Sequence, residues 1–495
     1  MSTLKKSFAT LAIYSLGMLI STSSVYAKDC NWPSLNHDHH NSRSNPCEDV
    51  INTTNVVNLV QLWSDNTAGS VQSAPVFEDG IIYYGDVNGN IFARNAQNGT
   101  ILNQTNLGSS IFSSPLITDG ALYVATDDLI LFAIDKTTFN LLWSVTIDPV
   151  AQSTGQGSIQ SSPVYVDGKV IIGVACDDFT ETSTLDVSVR GSLNAFDAID
   201  GSLVWQYIPT QDTEGFGVGF WSTPAIDTKR NLLFVGTSNT VTFPAAKLSD
   251  SLLAIHYKTG KLKWFQQFTK NDVFGIVNAT GPDRDVGASP NLFSVPGSSH
   301  HSGSHKSKKD LVGVCSKAGV YRTFERSSGK LVWETTISQT GTRTGNPSAA
   351  VHGDTIYAVC NEDLTSLING PDVVQFGLEC NETAYYDMLD SLFEQTTVIK
   401  ALEACSGRVK WTDISTSTTF GSVAEANGVL YHSNVAGAIR CLDAKSGTLL
   451  NTVSANGPFN VAPLMVADGK LFVGEGWEFI SSANGIVVYA LPAPI

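Results

Sequence analysis

One phrase returns along almost the whole of this chain, and a chain built from a repeated unit can reach only a few folds. It reads SAPVFEDG, IIYYGD and GNIFARNAQNG from Ser73, then SSPLITDG, ALYVAT and LILFAID from Ser113, then SSPVYVDG, KVIIGV and GSLNAFDAIDGSLVW from Ser161. Further copies begin at Ser222, Ala288, Asn346, Gly421 and Val461. Each copy is three or four short alternating runs separated by Asp-Gly, Asn-Gly, Thr-Gly or Ser-Gly pairs, where turns need positive φ. Gly80 and Gly120 lie 40 residues apart, Gly120 and Gly168 48, and Gly428 and Gly469 41. Four strands fill a unit of that size, which is a propeller blade. Such a blade cannot bury both faces alone, so the copies must stack around an axis into one large domain.

The copy from Val461 ends at GIVVYAL, and the chain stops before a final "G-x-L-x-W" strand. That strand is found at the other end, in Asn58 to Trp63, which resembles the endings at Trp143, Trp205, Trp264, Trp333 and Trp411. The sequence therefore predicts an all-β, eight-bladed β-propeller of four-stranded antiparallel blades, closed by an N-terminal strand completing the last blade. Closure of this kind removes two exposed edges at once. The propeller is expected over 58–495, with a lead-in at 28–57. The regularly spaced tryptophans read as packing between blades and demand no ligand.

Residues 1–27 read as a secretory signal peptide: Lys5 and Lys6 precede the apolar run from Phe8 to Ile20, and Ala27 closes a cleavage site. Periplasm or the extracellular space is the expected location. No later run is long enough to span a bilayer. With 46 acidic against 30 basic residues and a net charge of −16, the chain would repel a nucleic-acid backbone. The His and Lys cluster from His300 to Lys309 reads as a solvated loop, since its spacing fits no closed metal site. In an oxidising compartment the eight cysteines permit disulfides, with Cys30 to Cys47 and Cys360 to Cys380 as short loops that could close. No C-x-x-C-H motif is present, so covalent haem is not expected and any electrons would leave to a separate acceptor.

Chemistry belongs where the repeat is interrupted, because the blades need only packing and turns. The segment from Gly281 to Pro290, GPDRDVGASP, places Asp283 and Asp285 just before a central strand. Such a pair can ligate a hard cation, or one member can act as a general base. Read structurally, Asp283 caps a turn and Asp285 is solvated. Asn239 follows the strand LLFVG and can offer an amide oxygen to a cation, or make an Asx turn. Asp186, upstream of Arg190, offers a further carboxylate, or is a loop residue. Trp221 comes before its Pro-Gly segment, unlike the other tryptophans, and can form a floor for a flat cofactor. Arg190 and Lys317 can hold the carboxylates of such a cofactor.

Together these residues resemble the pyrroloquinoline quinone (PQQ)-dependent alcohol dehydrogenases, most nearly the polyvinyl-alcohol-dehydrogenase-like branch. The likeness runs from WPSLNHDHHNSR at Trp32 through FWSTPAID, FVGTSN, GPDRDVGASP and CSKAGVYRTFERSSGKLVW. It implies a quinone lying flat in a central funnel, with Ca2+ bridging it to the protein. It casts Asn239, Asp186, Asp283 and Asp285 as metal ligands, and Asp283 or Asp285 as catalytic base. Trp221 would lie under the quinone, with Arg190 and Lys317 beside it. Related enzymes carry glutamate where Asp186 stands, so the reach here is shorter by about one methylene. The vicinal disulfide of the methanol and ethanol dehydrogenases is missing. The expected partners are an alcohol substrate and a separate electron acceptor such as a cytochrome c or a quinone. The alternative is a non-enzymatic propeller scaffold that binds envelope proteins or peptides, since fold does not dictate chemistry.

Overall fold

In the computed structural model, the described residues are 30–66, 69–176, 187–274, 281–297, 308–341, 347–362, 395–455, 457, 461–477 and 485–493. The proposed signal peptide, Asp186, Cys380 and the basic cluster from His300 to Lys306 lie outside them. Eight four-stranded antiparallel sheets are present, each a blade, with one short extra strand at Gly157–Ser158 and another at Ser44–Asn45. Blade one runs outward through Val76–Glu78, Ile81–Gly85, Asn90–Asn95 and Ile101–Asn106, and the later blades repeat that order. Blade eight contains Met465–Ala467, Lys470–Glu475 and Gly485–Ala490, and its outer strand is Val60–Asp65 from the other end of the chain. The closing strand is thus the expected one, displaced two residues toward the C-terminus of Asn58–Trp63. Among the described residues no helix is long and apolar enough to cross a membrane.

Neighbouring blades are joined by two chains of contacts. At the rim, the indole N–H of Trp143 donates to Ala198 O, that of Trp205 to Tyr257 O, that of Trp264 to Arg326 O, that of Trp333 to Ala404 O and that of Trp411 to Ala444 O. Trp63 does the same to Ala96 O, carrying the closure from blade eight to blade one. The packing reading of the tryptophans is therefore the observed one.

Near the axis, each hydroxyl of the Ser-Pro phrase receives the backbone N–H of the blade before it. Ala74 N donates to Ser114 Oγ at 2.9 Å, Ser114 N to Ser162 Oγ at 2.9 Å and Ser162 N to Thr223 Oγ1 at 3.0 Å. The series continues from Thr223 N to Ser289, from Ser289 N to Ser348 and from Ser348 N to Ser422. It links blades one to seven. All these groups are buried, so losing one acceptor strands a donor. Ser162→Ala is expected to lower stability by about 1–3 kcal/mol. Urea unfolding checks this, and an unchanged midpoint would show that the hydroxyl is not needed.

The lead-in is a strap across one end of the axis. Trp32 exchanges both backbone hydrogen bonds with Phe77 of blade one. Pro33 O then accepts from Ile117, His39 O from Ile226, His40 O from Leu292, Ser42 O from Val351 and Arg43 O from Glu425. Its side chains enter the axis. Asn41 donates to Thr223 O and Pro290 O, and the fully buried Arg43 donates to Val423 O and Leu464 O. The strap's backbone contacts, at Phe77, Ile117, Ile226, Leu292, Val351 and Glu425, lie three residues beyond the hydroxyl chain, roughly 10 Å further along each strand. The residues before the hydroxyls, Trp221 and Gly287 among them, lie toward the opposite end.

One disulfide joins Cys30 and Cys47, as the spacing allowed. The other pairing does not form: Cys360 is a free thiol, buried beside Cys315 where two blades pack.

Candidate functional site

The segment carrying Asp283 and Asp285 enters the inner strand Asn291–Pro296 of blade five. Asp283 takes a left-handed conformation, with φ 55°, which aspartate and asparagine tolerate better than most residues. Both carboxylates are buried, Asp283 to 2% exposure and Asp285 to 3%, so the solvated reading of Asp285 does not hold. Their counter-ion is Lys317. Its Nζ lies 2.9 Å from Asp283 Oδ1 and 3.4 Å from Asp285 Oδ2, and its backbone N–H donates to Asp285 O at 3.0 Å. The sequence reading gave Lys317 to a cofactor carboxylate, whereas here its ammonium is held by the protein's own carboxylates.

The same ammonium stands 5.5 Å from the centroid of the Trp221 ring. Trp221 lies against Gly287, where an added Cβ would meet its Cζ2 at 2.0 Å. Glycine is therefore required two residues after Asp285 for the indole to keep its place. Trp221, Lys317, Asp283 and Asp285 thus form one cluster, drawn from the starts of blades four and five and the turn after Lys308–Ser316.

Asn239 belongs to the adjoining loop. Its Nδ2 donates to Thr240 O and to Phe274 O, while Val241 N, the donor an Asx turn would use, goes to Phe216 O and leaves Oδ1 as the remaining amide atom. That loop is tied to the aspartate segment by Val286 N donating to Thr237 O at 3.1 Å. Arg190 goes elsewhere. Its Nη1 donates to the exposed Asp212 at 2.8 Å and its guanidinium stacks on Phe216 at 4.8 Å. None of its described contacts reaches Trp221 or the aspartates, although its neighbour Gly191 packs on Gly219, two residues before Trp221.

Two further buried aspartates went unnoticed in the sequence. Asp272 accepts the backbone N–H of Asp283 at 3.2 Å and of Arg284 at 2.7 Å. Asp250 is fully buried, and neither of its carboxyl oxygens meets a donor among the described residues. Burial first, and the charge of Asp272 second, push its pKa up to about 10, so it is a neutral acid turned on Asp272. Both residues stand alone in unpatterned stretches, NDVF and LSDS, and no spacing marks them.

Among the described residues no three His, Cys, Asp or Glu side chains gather closely enough to hold a metal by themselves. The oxygen donors on hand are the carboxylates of Asp283 and Asp285 and the amide of Asn239. Such a hard-oxygen set suits Ca2+ once a ligand supplies the remaining positions.

The chain is thus an eight-bladed propeller with a buried acidic cluster at the starts of blades four and five. Residues 147–351 match the family model described as glucose/ethanol/alcohol dehydrogenase, beta-propeller domain, of the PQQ type. The chain is 25% identical over 468 residues to a polyvinylalcohol dehydrogenase of a Pseudomonas species, covering 86% of this chain and 68% of that protein. It is 23% identical over 531 residues to a polyvinylalcohol dehydrogenase of a Sphingopyxis species, covering 93% and 74%. Among solved structures, the quinohemoprotein alcohol dehydrogenase ADHIIG of Pseudomonas putida superposes with a TM-score of 0.73 at 16% identity, covering 94% of this chain and 82% of that one. Residues 147–351 thus match a propeller domain of the PQQ type, and over most of its length the chain is similar to alcohol dehydrogenases that carry it.

Proposed function

We propose that this protein is an exported quinoprotein dehydrogenase that oxidises primary or secondary alcohols, with hydroxyls of a neutral polymer among its substrates. The observation that carries this reading is the convergence of Asp283, Asp285, Lys317 and Trp221 in one buried cluster, joined by a backbone bond to the loop of Asn239. The names of its relatives support the substrate class.

The residues present fit the cofactor. Trp221 offers a flat apolar face braced by Gly287. Asn239 Oδ1 and the carboxylates of Asp283 and Asp285 would hold Ca2+. Asp186, outside the described residues, is proposed as a further ligand. When bound, PQQ supplies the two-electron acceptor and Ca2+ polarises it. The chain's own part is to place and deprotonate the alcohol. Asp283 is the better base of the two: Lys317 engages Oδ1, and no described donor reaches Oδ2, which is left to accept the hydroxyl proton. Asp285, whose main chain is tied to Lys317, serves as ligand and negative charge. Because the sequence has no haem attachment motif, electrons would pass to a separate acceptor such as a cytochrome c or a quinone.

Purified protein incubated with PQQ and Ca2+ should reduce an artificial dye when a secondary alcohol is added, and lose that activity to a chelator. Intact protein that reduces no dye with any primary, secondary or polymeric alcohol would move the reading to a non-enzymatic scaffold.

A further inference from the structure

We infer that Asp272 is the positioning residue that aims Asp283 and locks it to the loop of Asn239; this rests on the dehydrogenase reading above. Asp272 is fully buried. Its two oxygens take two successive backbone N–H groups, those of Asp283 and Arg284, so a single carboxylate fixes the turn in which Asp283 adopts its positive φ. The two residues that follow it face the other loop. Val273 forms a parallel bridge with Thr240, Phe274 N donates to Thr240 O at 2.8 Å, and Phe274 O accepts from Asn239 Nδ2. Residues 272–274 therefore hold Asn239 and Asp283 at once, although those two residues are 44 positions apart in the chain.

The fit is close. Gly281 N donates to Val273 O at 2.7 Å, and a Cβ on Gly281 would stand 2.1 Å from Asp272 Oδ1. Glycine lets the carboxylate reach under the turn. Asp250, fully buried, is the other acid that Asp272 faces. Asp272 itself makes no described contact with Lys317 or Trp221, and its effect on the reaction passes through the backbone of Asp283.

The test uses the full-length protein with PQQ and Ca2+ as probes and two variants. Asp272→Asn keeps the shape but offers one acceptor to two N–H groups. Gly281→Ala keeps the carboxylate but displaces it, and carries the test if Asp272→Asn does not fold. For the folded variants, kcat should fall by about 30-fold or more while KM for the alcohol changes by less than about threefold, since a misaimed base costs the chemical step rather than alcohol binding. The Kd for PQQ in the presence of Ca2+, read from tryptophan fluorescence without any turnover, should rise by about tenfold because Asn239 is released as well. A residue that merely supports the fold would shift the melting point and leave both values alone. Folded variants with wild-type kcat and Kd overturn this inference alone, whereas wild-type protein that binds no PQQ overturns it together with the reading on which it rests.

Discussion

Asp283→Asn is expected to abolish alcohol-dependent dye reduction, by about 10³-fold or more in kcat/KM, while the apo protein melts within a few degrees of wild type. The small structural cost follows from the position. Asparagine is the residue best able to replace aspartate at φ 55°, its size is the same, and its backbone N–H still reaches Asp272. Lys317 keeps Asp285 as a partner at 3.4 Å, so its charge is not abandoned in the core. The chemical cost is different in kind. An amide cannot accept the alcohol proton and gives a weaker ligand to a cation, so both roles proposed for this side chain fail together. Asp285→Asn should separate them: affinity for Ca2+ should drop while a residual rate survives at saturating metal. If Asp283→Asn retained most of the activity, the base would have to be Asp285.

Asp250→Asn is expected to stabilise the apo protein. The wild-type residue is pushed up to about 10 by burial and by Asp272, while in the unfolded chain it ionises around the ordinary value of 3.8. Between those values the folded state carries one more proton than the unfolded state, so this group lowers stability as pH rises, with a slope of at most about 1.4 kcal/mol per pH unit. Below pH 3.8 both states are protonated and the penalty is absent. Asparagine keeps the size and a donor toward Asp272 but does not titrate. The variant should therefore match wild type near pH 4 and exceed it by on the order of 3 kcal/mol at pH 8. Urea unfolding at a series of pH values measures the gap. Parallel curves, or a variant weaker at every pH, would mean that Asp250 is charged and partnered in the native state.

What could be read in advance was whatever local burial dictates. Strand periods, turn glycines and the tryptophan spacing each follow from how one blade packs on the next, so the propeller and its closing strand were legible, to within two residues for Val60–Asp65. Asp283, Asp285, Asn239 and Trp221 stood out because they break the repeat. Their partners did not, because those are fixed by which loop lies over which. Lys317 pairs with the aspartates and Arg190 with Asp212, a difference no spacing encodes. Asp272 and Asp250 are single letters in irregular segments, and their importance comes only from complete burial beside another carboxylate. The phrase Ser-Ser-Pro was visible as a repeat, but that its second hydroxyl links each blade to the one before required the blades to be side by side.

A crystal structure of the protein grown with PQQ and Ca2+, with the cation located by its anomalous signal, tests the central claim most directly. The account predicts one cation within about 2.3–2.6 Å of Asn239 Oδ1 and of a carboxylate oxygen of Asp283 or Asp285, with the quinone ring stacked on Trp221. A cation bound elsewhere, or a quinone that does not touch Trp221, would contradict it.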